Sequence, residues 1–265
     1  MYAFTLEQPQ TLSDAKRLVG AGAQALAGGQ TLIASLKQRL AQPGALVDLR
    51  AVPELRGVRR EGNALVIGAM TRHEEVAGHS DVKASIPGLA ALAGQIGDRQ
   101  VRAMGTMGGS VANNDPAACY PSAVLALGAT IVTDRREIAA DAFFQGMYAT
   151  ALEPGELITA IRFPIPKKAA YAKFRQPASR FALVGVFVAQ TDAGARVAVT
   201  GAGNGVFRHA GLEAALSKSF TPEAVAGVTV DAGECNGDLH ASAEYRCHMA
   251  GVLARRAVRR FSAAP

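Results

Sequence analysis

The chain has 265 residues, 49% of them apolar and 19% charged, a balance that supplies a sizeable core and excludes a disordered or low-complexity polypeptide. Its net charge of +6 is partly local, because Arg255, Arg256, Arg259 and Arg260 crowd near the C-terminus. With no tryptophan and no nucleic-acid-binding motif, that charge reads as a solvated helix face or a surface for an acidic partner, and nucleic acid is excluded as the partner. The longest nearly apolar run, residues 181–189, is too short to span a bilayer.

From the N-terminus, Thr11 is a cap candidate for a short amphipathic helix carrying Leu12, Ala15, Leu18 and Val19, and a strand is expected after it. The small-residue run 23–27 ends in Gly28 and Gly29. Leu32, Ile33, Leu36 and Leu40 then recur at helical spacing, so a glycine turn should join an extended segment to a helix. Residues 45–49 and 64–69 read as strands. Thr71 to Glu74 fits a capping box opening a helix, and residues 87–96 form a second helix with a first-turn proline and Gly97 as its stop. A glycine-rich stretch follows from Met104, then the polar Asn113 and Asn114, then a helix over 122–127 and strands over 129–133 and 157–163.

Pro164, Pro166, Lys167 and Lys168 interrupt the apolar periodicity and mark a boundary. Beyond it, 181–189 and 196–200 form a hairpin around Asp192 and Gly194, with helices near 212–216, from Thr221-Pro222, and finally from a Ser242 cap with Tyr245, Met249, Val252, Leu253 and Val258 on one face. The irregular alternation of strands and helices makes the class α+β, with two domains meeting near residue 165.

Cys119, Cys235 and Cys247 lie far apart with no paired spacing, which predicts neither a disulfide framework nor a thiolate cluster and points to a reducing compartment. The five histidines, His73, His79, His209, His240 and His248, lack metal-ligand spacing and read as surface or capping residues. Chemistry is concentrated in two glycine loops, Ala27 to Thr31 and Thr106 to Ser110, each built on a Gly-Gly pair. Consecutive glycine N–H groups can converge on an anion without a Cβ in the way, and the first pair leads into a helix N-terminus that favours phosphate. Neither segment carries the fingerprint of a Rossmann domain or a P-loop. Two such segments far apart in one chain suit a long diphosphate cofactor held from two sides.

At these segments the sequence resembles the FAD-binding medium subunits of carbon monoxide dehydrogenase and related molybdenum hydroxylases. The resemblance rests on Ala27-Gly28-Gly29-Gln30-Thr31-Leu32 with the 46–49 strand, on residues 102–116 around Thr106-Met107-Gly108-Gly109-Ser110, and on residues 238–249, so it covers nearly the whole chain. It implies a vanillyl-alcohol-oxidase-type FAD-binding fold over residues 1–165, with a small lobe to about residue 55 and a larger lobe from about 56. A C-terminal α+β domain over 166–265 completes it. By the same resemblance, residues 27–32 and 106–110 surround the cofactor's pyrophosphate and ribityl chain, Ile158 lies against adenine or flavin, and Lys173 lies near the flavin, where an ammonium favours negative charge on the reduced ring.

The chain departs from the family pattern at Cys119, where many members carry an acid, which leaves Asp115 and Cys119 as the two candidates for that contact. Ala103 and Met104 also replace more polar residues. The implied assembly adds a large subunit with the molybdenum cofactor, a small subunit with two [2Fe–2S] clusters, and an external electron acceptor, in the cytoplasm. A stand-alone flavin oxidoreductase and a scaffold subunit that has lost FAD are the rival readings.

Overall fold

The computed structural model describes residues 1–262. A small parallel sheet comes first, built from β1 (Thr5–Glu7), β2 (Gln24–Leu26) and β3 (Ala45–Asp48) in the order β1-β3-β2. Its crossovers are α1 (Leu12–Gly20) and α2 (Leu32–Lys37). The predicted cap is in place: the Asp14 amide donates to the Thr11 hydroxyl at 3.1 Å. Ala15 and Val19 are buried with Val47 and Leu49 beneath that helix. Thr11→Ala removes an N-cap acceptor and should lower stability by about 1 kcal/mol, read as a lower urea midpoint with an unchanged slope. An unchanged midpoint would mean that Asp14 or water replaces the cap.

A five-stranded antiparallel sheet follows, in the order β4-β5-β10-β6-β7. Its strands are β4 (Val58–Glu61), β5 (Ala64–Gly68), β6 (Thr130–Thr133), β7 (Glu137–Ala139) and β10 (Ile158–Pro164), with a small hairpin of β8 (Phe144–Gly146) and β9 (Ala149–Thr150) in the excursion before β10. Six helices fill the gap between β5 and β6: α3 (His73–Gly78), α4 (Ser80–Ser85), α5 (Pro87–Ala93), α6 (Arg99–Met104), α7 (Met107–Asn113) and α8 (Tyr120–Ala126); the four-residue α9 (Ala140–Phe143) follows β7. The expected capping box is one residue out of register. Glu75, not Glu74, accepts from the backbone of Arg72 at 2.7 Å, while the Thr71 hydroxyl donates to the Gly57 carbonyl at 3.1 Å and so ties α3 to the strand beside it.

The last sheet runs β11-β12-β13-β14, with β11 (Lys168–Arg175), β12 (Ala182–Thr191), β13 (Gly194–Thr200) and β14 (Phe207–Arg208). The expected hairpin turns at Asp192, with Thr191 paired to Gly194. α10 (Ala210–Lys218) and the 20-residue α11 (Ala243–Ser262) complete the chain, and the expected Ser242 cap accepts from Tyr245 at 3.2 Å. α11 buries Cys247, Met249, Ala250, Leu253, Ala254, Ala257 and Val258 against β11 and β12, whereas Tyr245, expected on that face, is 44% exposed.

Two further expectations fail. No helix starts at Thr221-Pro222, where the backbone makes successive turns. Cys235 and Cys247 are joined by a disulfide, because the loop after α10 folds back on α11 and brings together residues that local spacing keeps apart. The cysteine content therefore gives no argument for a reducing compartment. No described helix is long and apolar enough to cross a membrane.

Candidate functional site

The two glycine segments, far apart in sequence, touch. Gly28 lies two residues past the end of β2 and is packed so tightly that a Cβ there would strike the carbonyl of Met104 and lie 2.8 Å from the Cα of Gly105. A Cβ on Gly109 would lie 3.2 Å from the Cβ of Ala27. Glycine is required at position 28 because backbone passes over backbone, and Gly29, at φ +71°, turns the chain into α2. The helix bonds begin only at Ile33, which donates to the Gly29 carbonyl at 3.1 Å, and at Ser35, which donates to Thr31. The N–H groups of Gly28, Gly29, Gln30, Thr31 and Leu32 meet no acceptor among the described residues. The Gln30 side-chain amide folds back to donate to the Gly28 carbonyl at 3.3 Å. Thr31 is exposed with its hydroxyl uncommitted, and Leu32 packs with Leu26, Leu36 and Leu46.

Thr106 to Ser110 is not a loop. Thr106 caps α7 by accepting from Gly109 at 3.2 Å, and Gly108 and Gly109 lie in its first turn. The amides of Met107 and Gly108 donate to the carbonyls of Thr71 and Ala69, and that of Ser110 to Thr106. All of these donors are consumed within the fold, so this segment does not mirror the open N–H row of the first. Gly108 serves packing, since a Cβ there would lie 2.5 Å from that of Ala69, and the Met107 side chain is fully buried in the large core. Ile158, buried in β10, stands one layer further back: Thr159 beside it accepts from Ala69, which accepts from Gly108.

The remaining sequence candidates form a second group. Asp115 is committed to a turn, its Oδ1 accepting from Ala117 at 2.8 Å while Oδ2 faces the Tyr148 hydroxyl at 3.4 Å. Cys119 is buried, and the Lys173 ammonium donates to its sulfur at 3.3 Å and to the Gln95 carbonyl at 3.1 Å. Lys173 is thus a member of β11 held from inside the protein, not a surface residue trailing a linker.

Sequence reasoning missed three residues at this site. Asn114 is fully buried in the left-handed conformation at the end of α7, and its amide donates to the carbonyls of Gly146 and Ala149 at 2.7 and 2.8 Å. His73, expected at the surface, is 4% exposed. Its amide donates to the Gly105 carbonyl at 2.9 Å, its ring lies 5.2 Å from that of Tyr120, and its Nδ1 has no partner. Burial, reinforced by the positive charge of Arg102, lowers its pKa to about 4, so the imidazole is neutral. Arg72 lines a pocket of about 260 Å³ with Gln8, Gln10, Asp48, Arg50 and Arg56 at the end of β3. Burial alone would raise the Asp48 pKa there, but the hydrogen bonds and charge of Arg50 hold it below its ordinary value. His79 and His209 do act as caps, to α4 and α10.

This arrangement has close relatives. The family model described as FAD binding domain in molybdopterin dehydrogenase matches residues 2–166. The carbon monoxide dehydrogenase medium chain of Afipia carboxidovorans is 38% identical, over 98% of this chain and 97% of the relative. The nicotine 6-hydroxylase medium subunit of Paenarthrobacter nicotinovorans is 32% identical, over 97% and 96%. Among solved structures, reconstituted CO dehydrogenase from Oligotropha carboxidovorans superposes with a TM-score of 0.89 at 34% identity, covering 98% of this chain and 97% of that one. Fold and full-length similarity agree, and the chain belongs to the family of FAD-binding medium subunits of molybdenum hydroxylases, as the flavoprotein component of an oxidoreductase.

Proposed function

We propose that the chain holds FAD where the 27–32 and 106–110 segments meet, receives electrons from [2Fe–2S] clusters on a small partner subunit, and delivers them to an external acceptor. Substrate oxidation then belongs to a large subunit carrying the molybdenum cofactor. The observation that carries this reading is the row of uncommitted N–H groups from Gly28 to Leu32, backed by a glycine contact that a Cβ would destroy. That row suits the oxygens of a pyrophosphate, assisted by the positive end of α2.

FAD, when bound, supplies a carrier able to exchange one or two electrons. The chain's own residues do the rest. Thr31 and Ser110 offer hydroxyl donors, and Gly109 leaves room beside Ala27. Ile158 backs the site with apolar surface, and the Lys173 charge favours electron density placed near it. Cys119, in contact with that ammonium, takes the position of the family's acid in preference to Asp115, whose carboxylate is already engaged. The division into a flavin-binding part over 1–165 and a C-terminal domain over 166–265 belongs to the same proposal. So does a cytoplasmic location, against which the Cys235–Cys247 disulfide is the opposing observation.

The test is an absorbance spectrum of the purified chain, with the released cofactor identified after denaturation. Flavin bands and one FAD per chain are expected. A colourless protein that takes up no FAD, alone or with its partner subunits, would leave the scaffold reading in its place.

A further inference from the structure

Cys119 precedes α8 with 5% of its surface exposed, and two side chains of one strand converge on its sulfur. Tyr171 and Lys173 are two residues apart on β11 and so share a face. Lys173 Nζ lies 3.3 Å from Sγ. The Tyr171 hydroxyl is fully buried and has no hydrogen-bond partner of ordinary geometry, yet it faces the same sulfur. Burial, reinforced by that sulfur, pushes the phenol well above its ordinary range. An ammonium and a phenol thus share one thiol, a weak acceptor. Buried polar atoms are normally paired, and an unpartnered hydroxyl aimed at a sulfur marks a place where an oxygen or nitrogen bonded to that sulfur would be accommodated.

We propose that Cys119 and Lys173 form a reversible oxidative cross-link, a sulfenamide, that switches off the Lys173 charge. In the first step a peroxide transfers one oxygen to the sulfur: Cys119–SH and H2O2 give Cys119–SOH and water, sulfur losing two electrons and the peroxide gaining them. In the second, Lys173 releases a proton and its nitrogen attacks the sulfur. The S–O bond breaks, and hydroxide leaves with a proton as water, giving Cys119–S–NH–Lys173. Two thiol equivalents reverse the link, restoring the cysteine and the amine and leaving one disulfide. Lys173 keeps part of its surface open, and Cys119 itself retains 5% exposure. The regulatory consequence rests on the FAD reading: the link replaces an ammonium with a neutral nitrogen and removes the cation that favours reduction of the cofactor.

The experiment treats the full-length chain with peroxide in slight excess, digests it with trypsin without reductant, and maps the peptides by mass. Expected are peptides of Cys119 and Lys173 joined at the sum of their masses less two hydrogens, loss of tryptic cleavage after Lys173, and recovery of both peptides after thiol treatment. A joined pair heavier by one oxygen also supports the oxidised Lys–Cys contact. Cys119 recovered as a free thiol, or as sulfinic or sulfonic acid with Lys173 cleaved normally, overturns the proposal. Cys119→Ala and Lys173→Gln should each abolish the link, but the decisive result comes from the unaltered chain and does not depend on either variant folding. A second readout is the midpoint potential of the bound flavin, expected to fall on linking and return with thiol. A link formed in a chain that binds no FAD would keep the cross-link and sink the FAD reading, whereas a yellow chain with no link would do the reverse.

Discussion

Gly28→Ala is expected to weaken FAD binding roughly 100-fold, equivalent to about 3 kcal/mol, with most secondary structure retained. The added methyl would strike the Met104 carbonyl and crowd Gly105. Neither is the flexible end of a side chain, so the two segments must move apart. That movement pulls the N–H row of residues 28–32 away from residues 106–110, and a clamp made of fixed backbone groups loses affinity with small displacements. Gly29→Ala is the comparison. There the obstacle is the Ile33 side chain and a φ of +71°, a strain of about 1–2 kcal/mol that leaves the contact between segments in place. Quenching of flavin fluorescence on titration gives the affinities, and circular dichroism confirms the fold. Equal affinities for Gly28→Ala and the unaltered chain would remove this contact from the FAD site.

Stability should fall as pH drops from about 6.5 to about 4, with His73 as a principal cause. The imidazole is buried and neutral, its pKa lowered from 6.5 to about 4 by desolvation and then by Arg102. Between those values the unfolded chain binds a proton that the folded chain refuses. The stabilisation is therefore complete above pH 6.5 and lost progressively down to pH 4, on the order of 3 kcal/mol in full. Arg102 is held in place by the carbonyls of Ile96 and Gly97 at 3.0 and 3.3 Å. Urea unfolding at a series of pH values checks this, with His73→Gln expected to flatten the curve between pH 4 and 6.5. An equally steep curve in the variant would assign the dependence to other groups.

Much of the fold was legible where a local pattern carries its own partner. Thr11 and Asp14 lie within one turn, and the 182–200 hairpin announces itself through a turn between two apolar runs. What escaped depends on contacts distant in sequence. β4 reads as polar because it is an edge strand with outward arginines, and β7 is only three residues long. The capping box slipped by one residue because Thr71 is taken by Gly57, which no local rule foresees. The disulfide required knowing that the loop after α10 returns to α11.

The site was half legible for the same reason. The Gly28-Gly29 segment was read correctly as a turn into a helix with open donors. Gly108-Gly109 looked alike in sequence but is the start of a helix whose glycine at 108 lets it press against Ala69. Composition signals a close approach without saying whether a ligand or the protein makes it. Cys119 and Lys173 were each singled out, yet nothing in a spacing of 54 residues indicates that they touch. His73 looked like any other surface histidine because its neighbours in the chain are charged.

The core carries a further implication for how this chain is inherited. Ala169, Tyr171, Phe187, Ala189 and Ala198, all beyond the prolines at 164 and 166, pack in the same cluster as Leu65, Tyr120 and Phe163. The prolines mark where the chain changes sheets, but one face of the last sheet shares the apolar interior of the preceding part, while its other face packs on α10 and α11 as a cluster of its own. Cutting there would leave matching greasy faces bare on both pieces, so a recombination event that exchanged one half for that of a distant cousin would have to replace both sides of the cluster together.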